Sequence, residues 1–253
     1  MSRNFISLFG SGGDVLPEAA GANLLTNLIS FWELEEATGL RIDAHGANDL
    51  TDNNTVTQQT GKVGNCAQFT QANDEFLDIA SNATLNVGTG SFSWAGWVFH
   101  DTVSGGDNFQ TYCAKDDIVT PIRGYLIGFN QTDHAPNNRF TFSCGNNGAA
   151  GNDVLDFSIG ATVTTWHFVV AWRDVSGSPT INLQVDNGTP ESLAHTVANI
   201  DGATEFNLGA VGTTLLRMNG RIDQALFAKR VWTPSERTWL YNSGNGRAYS
   251  ELG

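Results

Sequence analysis

Three kinds of side chain in this sequence are of the types that carry chemistry: paired carboxylates, imidazoles and thiols. In Glu33-Leu-Glu35-Glu36 two carboxylates stand two residues apart. On a strand Glu33 and Glu35 would share a face, as the acid and base of a glycoside hydrolase do. The histidines, His45, His100, His134, His167 and His195, are scattered along the chain. No nucleophile elbow accompanies them, so no Ser-His-Asp order can be built. No phosphate-cradling loop is present, and no Cys/His spacing suits zinc. The three cysteines, Cys66, Cys113 and Cys144, lie in apolar, strand-like contexts. An odd number is not a disulfide framework, so buried reduced thiols are expected, with nothing to support a Cys113–Cys144 bridge.

A sugar site would need exposed aromatics for stacking, with Asn, Asp or Arg nearby. Of the seven tryptophans, Trp94, Trp97, Trp166 and Trp172 alternate along strand-like runs and are expected to fill the core. Phe109, Asn130, His134, Asn137, Asn138 and Asn146 fall in segments read as loops and are the freer candidates for ligand binding. Their order does not show that they converge, and it names no sugar.

The formal net charge is −13, with a pI near 4.5. Nucleic acid is excluded as a partner, because phosphate binding needs clustered Lys and Arg. The acidity leaves carboxylates for a cation such as calcium, although solubilisation is the plainer use. No apolar run reaches transmembrane length. Residues 1–30 carry one Arg and no secretory apolar core. The expectation is therefore a protein made in the cytoplasm and not exported by the usual route.

The elements that would position these groups are strands. Hydrophobic content is 40 %, charged content 15 % and glycine abundant at 28 residues, a composition of many turns and few long helices. The plainest pair is Trp166–Gly188. In its first strand Trp166, Phe168, Val170 and Trp172 take one face, and His167, Val169, Ala171 and Arg173 the other. After a turn at Asp174–Pro179, Ile181, Leu183 and Val185 alternate with Asn182, Gln184 and Asp186, which predicts a strand with one wet face. Further strands are predicted over SFSWAGWVFHD, QTYCAKDD, RGYLIGFNQ, RFTFSCGN, LDFSIG, SLAHTVANI, ATEFNLGAVG and NGRIDQALFAKR. Thr233-Pro-Ser-Glu236 is a capping box with proline at the first helical position, and it predicts a short helix over 234–243 capped by Gly244. Trp239 and Leu240 would dock that helix on the sandwich.

The Trp-His strand, the KVGNCAQFTQANDEFLDIA strand pair, the SFSWAGWVF strand and the closing GRIDQALFA strand, in this order, resemble the LamG-like domains of the concanavalin A-like lectin/glucanase superfamily. The resemblance spans about residues 28–243. It implies an all-β, two-sheet antiparallel jelly-roll sandwich over residues 28–253, preceded by an arm at 1–27 and closed by the short C-terminal helix. The family's hydrolytic members need a third acid in register, whereas Glu33 and Glu35 here match the non-catalytic opening strand. The resemblance also implies one rim calcium ion, with Asp43, Asn48, Asp49 and Asp223 as its ligands. Turn capping by Asp43 and amide binding by Asp223 serve equally well as readings of those residues. His167 is expected to be a satisfied structural residue.

The expected function is that of a non-enzymatic binding protein. A structural or decorating subunit of a phage virion or other large assembly accounts for a missing export signal, because lysis releases it. The arm, with Phe5, Ile6, Leu8 and Phe9 as anchors, would bind its own kind or other subunits, and the protein would sit on the virion surface. A free lectin is the alternative, and the two agree in expecting a glycan partner; a glycoside hydrolase ranks last.

Overall fold

In the computed structural model the described residues are 24–104, 106–117, 122–145, 151–197, 202–212 and 215–252. Among them the chain forms two antiparallel sheets packed as a sandwich. Strands are numbered in chain order. The eight-stranded sheet runs β13 (Glu191–Ala194), β12 (Thr180–Val185), β11 (Trp166–Asp174), β6 (Phe92–His100), β15 (Gly220–Ala228), β4 (Asn65–Phe69) and β3 (Thr57–Thr60). Its remaining strand, β1 (Leu28–Trp32), pairs with the second half of β15. The seven-stranded sheet runs β10 (Asn152–Asp156), β9 (Arg139–Gly145), β8 (Ile122–Asn130), β7 (Phe109–Asp117), β14 (Phe206–Leu208), β5 (Phe76–Ile79) and β2 (Thr51–Asn53).

The alternation read from the sequence decides the layers. Phe92, Trp94 and Val98 of β6, with Val169 and Ala171 of β11, enter the core between the sheets. Ala95 and Trp97, with Phe168, Val170 and Trp172, form a second apolar cluster on the outside of the eight-stranded sheet. That outer cluster is covered by Trp232, Leu240 of helix α1 (Pro234–Tyr241) and Leu252. The predicted capping box is present, with Thr233 Oγ1 accepting from the Glu236 amide and Glu236 from the Thr233 amide. The left-handed cap is Asn242, two residues before the expected Gly244.

The fold departs from the sequence reading in three places. The face of β12 expected to be wet is buried at Asn182 and Gln184. The Arg237 Nε donates to Gln184 Oε1 at 2.7 Å, and its guanidinium lies 4.2 Å from the Trp172 ring centroid. A polar strand face can be covered when its groups are hydrogen-bonded. The NCAQF and EFLDI strands are not a pair; β4 and β5 belong to different sheets, linked through the turn at Gln71–Asn73. The strand expected over LDFSIG begins earlier, at Asn152. Leu24, at the end of the expected 1–27 arm, is buried in the outer cluster, and Leu25 packs on it. Phe5, Ile6, Leu8 and Phe9 of the expected arm lie outside the described residues.

Candidate ligand-binding cleft

The outer face of the seven-stranded sheet carries a different set of side chains. In β9, Phe140, Phe142 and Cys144 turn inward, which sends Thr141 and Ser143 outward. In β8, Tyr125, Ile127 and Phe129 turn inward, leaving Leu126 outside. In β10, Leu155 turns inward, leaving Asn152 and Val154 outside. The Phe109 ring lies over Gly128, where a β-carbon would come within 2.3 Å of the ring edge. That glycine is what lets the aromatic ring cross the strand. Together with Leu126, Ala114, Val211 and Leu216, Phe109 forms a small apolar cluster on this face.

Between this cluster and the outward polar groups of β9 and β10 lies a cleft of about 280 Å³. One wall is apolar, built from Phe109, Leu126, Val154 and Leu216. The other presents Asp133, His134, Thr141, Ser143 and Asn152. Asn130, at the end of β8, shapes the adjoining loop. Its Oδ1 accepts from the Asp133 amide at 3.0 Å, and its Nδ2 donates to the His134 and Pro136 carbonyls at 2.8 and 3.0 Å. His134 stands between two carboxylates, with Nε2 2.9 Å from Asp156 Oδ2 and Nδ1 3.3 Å from Asp133 Oδ2. Thr141 Oγ1 donates to Asp156 Oδ1 at 2.6 Å. Asn152 Oδ1 is buried and has no hydrogen-bond partner among the described residues.

A second cleft, of about 440 Å³, lies at the edge of the sandwich against Phe140, Phe157, Val185 and Ile159. Its polar groups serve one another. Both Glu191 carboxylate oxygens accept from the Ser158 amide at 3.1 Å. His167 Nδ1 is 2.7 Å from Asp186 Oδ2, and its Nε2 accepts from the Thr162 amide at 3.1 Å, so His167 is satisfied as the sequence led one to expect.

Of the ligand candidates read from the sequence, Phe109 and His134 line the same cleft. Phe109 is a strand residue almost wholly covered, not a loop residue, and Asn130 is fully buried and holds the loop. Asn137 is exposed on that loop, Asn138 borders a separate shallow hollow with Gln131 and Asp107, and Asn146 lies outside the described residues. Sequence reasoning missed Thr141, Ser143 and Asn152. The alternation in Arg139–Gly145 carried the signal for the first two; the misplaced β10 hid the third.

The metal candidates divide. Asp43, Asn48 and Asp49 share one loop. Asp43 Oδ1 accepts the amides of Phe31, His45 and Gly46 at 2.9–3.0 Å, and Oδ2 accepts that of Asn48 at 3.1 Å. Asp49 Oδ1 accepts from the Asp43 amide, and Asn48 Oδ1 from Asn82 and Thr84. Asp223 serves a different turn, with Oδ2 accepting the Lys62 and Val63 amides at 2.6 and 2.8 Å. Among the described residues no group of three or more carboxylates, imidazoles or thiols is placed to hold a metal. Asp43, Asp49 and Asp223 each accept backbone amides, and Asp223 stands on a different turn from the other three. Burial pushes the Asp223 carboxyl up to about 7, the two amides pulling it partly back.

Glu33 and Glu35 do not share a strand face. β1 ends at Trp32, and Leu34 between them has φ 63°. Glu33 Oε1 accepts the Tyr249 amide and Glu35 Oε2 the Asn65 amide, each at 2.9 Å. The three cysteines are free and buried; burial pushes Cys66 and Cys144 up to about 12 and Cys113 well above its ordinary value.

The fold is shared with known binding domains. It superposes on the binding domain of Paraclostridial Mosquitocidal Protein 1 with a TM-score of 0.68 at 16 % identity, covering 87 % of this chain and 53 % of that one. It matches domain 4 of AbnA, a GH43 extracellular arabinanase from Geobacillus stearothermophilus solved with arabinotriose, with a TM-score of 0.62 at 14 % identity, covering 87 % and 98 %. It also matches a botulinum neurotoxin type C structure, whose cell entry depends on two ganglioside molecules, with a TM-score of 0.64 at 13 % identity, covering 88 % and 52 %. The chain thus spans about half the length of the toxin chains and nearly all of the arabinanase domain. No family model and no curated protein matches the sequence. At these identities the likeness establishes the two-sheet β-sandwich fold, as the sequence led one to expect.

Proposed function

We propose that the chain is a LamG-like, non-enzymatic glycan-binding module whose site is the cleft on the seven-stranded sheet. The carrying observation is the amphipathic build of that cleft. An apolar wall faces a row of hydroxyl, amide and carboxylate groups, the Asn152 side chain among them. A sugar ring offers C–H groups to the one and hydroxyls to the other. The volume suits one ring, with the rest of a chain running out over the exposed rim. Glu33 and Glu35, each engaged by a backbone amide, support a binding role over a hydrolytic one.

Leu24 and Leu25 pack on the opposite, helix-covered face of the sandwich. A module tethered through its N-terminal segment would present the cleft outward, which supports the decoration of a virion or other assembly as the setting.

A glycan array followed by calorimetry on the full chain tests the reading. The protein should bind at least one oligosaccharide class, and Asn152→Ala should weaken that binding tenfold or more with an unchanged melting temperature. No binding across the array, or an Asn152→Ala protein that binds like its parent, would overturn it.

A further inference from the structure

The charge around the cleft is one-signed. Asp133 is the charged residue that lines it, with its side chain about half exposed. The other ionisable group in the lining, His134, stands between Asp133 and Asp156. Even as a cation it would leave the three groups at a formal charge of −1, and as a neutral ring at −2. The nearby cations face elsewhere. Arg217, next to Leu216, is held by Asp107 at 3.0 Å and by Asp74. Arg139 donates to the Asn138 carbonyl, and the Lys115 ammonium donates to the carbonyls of Gly202 and Thr204. Among the described residues no lysine or arginine lines the cleft. The chain as a whole, these groups included, carries a formal charge of −13.

We infer that the cleft takes uncharged sugars and turns away carboxylated ones, and that Asp133 is the residue that sets this choice. The inference rests on the glycan reading above and deepens it. A sialic or uronic acid seated against Val154 and Asn152 would bring its carboxylate into the field of Asp133 and Asp156 with no cation to meet it. Two like charges a few ångströms apart near a protein surface repel strongly enough to cost roughly tenfold or more in affinity. Carboxylate-binding sites solve this with an arginine fork, and none is placed here. The arrangement is one of exclusion as much as attraction, since specificity is a difference between two affinities.

Asp133 is free to act in this way because it is not part of the loop's scaffold. The turn is held by Asn130 through backbone groups, including the amide of Asp133 rather than its carboxylate. Asp133→Asn therefore keeps the loop and removes the charge.

The test uses matched probes on the full chain: a galactose-terminated oligosaccharide and its sialylated form, and xylotriose and its glucuronylated form, spotted on the same array and titrated by calorimetry. The neutral member should bind at least tenfold better than its acidic partner. The gap should narrow severalfold in Asp133→Asn, through a rise in affinity for the acidic member, and narrow again in 1 M salt, where exposed charges are screened within a few ångströms. Equal binding of the two members, preference for the acidic one, or an Asp133→Asn protein with the parent's selectivity would overturn the inference and leave the glycan reading standing. If no array member, neutral or acidic, binds the parent, the glycan reading itself fails and this inference falls with it.

Discussion

The two outer faces of this sandwich begin from the same alternation and end differently. On the eight-stranded sheet the outward positions of β6 and β11 are Trp97, Phe168, Val170 and Trp172, and the chain folds its own C-terminus over them. On the seven-stranded sheet the outward positions of β9 and β10 are Thr141, Ser143, Asn152 and Val154, and a cleft is left between them and the Phe109 cluster. Polarity alone does not make the difference, because Asn182 and Gln184 on β12 are polar and covered. What separates the faces is what the chain lays over them. Gln184 meets Arg237 of the C-terminal helix, whereas the described residues leave a cleft beside Thr141, Ser143 and Asn152.

The comparison can be broken most directly at Trp232, which is fully buried beneath the helix. Trp232→Ala should cost about 3–5 kcal/mol in denaturant unfolding, because it opens a large cavity in the covered cluster. Val154→Ser on the open face, where the side chain is 37 % exposed, should cost well under half of that. Similar losses from the two would mean that the open face carries as much of the fold as the covered one.

Gly128 sharpens the contrast from the other side. A β-carbon there would meet the Phe109 ring and the Gln110 carbonyl oxygen, each at 2.3 Å. Gly128→Ala should destabilise by about 1–3 kcal/mol and distort the apolar wall, so that glycan binding falls further than stability does. Parent-like binding in a folded Gly128→Ala protein would remove Phe109 from the site.

A pH signature belongs to the covered face. Asp223 is fully buried on β15, and burial raises its carboxyl from 3.8 to about 7. A group whose folded pKa is raised favours the fold while protonated. Its contribution is complete below pH 3.8 and is lost as pH rises through 7. His100 runs the other way, since burial lowers it from 6.5 to about 3 and its contribution is lost on acidification. The two overlap, so the difference between parent and Asp223→Asn is the quantity to measure. The parent should lose stability relative to the variant between pH 4 and 7, by up to about 1.4 kcal/mol per pH unit. A flat difference curve would place Asp223 in a wetter setting than the fold shows.

Much of this architecture was legible in the residues. The alternation in β11 separated Phe168, Val170 and Trp172 from Val169 and Ala171 correctly, although Trp97 and Trp172, expected in the core, lie in the outer cluster, and the Thr233-Pro-Ser-Glu236 box announced the helix. Local rules suffice there because period and capping are properties of neighbouring residues. The cleft was half legible. Phe109 and His134 were chosen by type, but Phe109 is a floor residue, and its partner on that floor, Gly128, is recognised as such only from the ring lying across it. Asn130 looked like a free loop amide and is the buried clamp of the turn. Asp43 and Asp223 looked like shared metal ligands, and each caps a different set of amides.

The sequence by itself determined that the chain is all-β, that its strands make two layers with aromatic residues on both sides of one sheet, that its end is a capped helix, and that its charge repels nucleic acid. These follow from periodicity, composition and capping, which act over a few residues. Only the tertiary structure decided which strand face is covered, which carboxylates are occupied by backbone amides, and where a cleft is left. Those depend on what stands opposite a side chain after chain segments distant in sequence have packed, and hydrogen-bond satisfaction is a property of the pair, not of either residue alone.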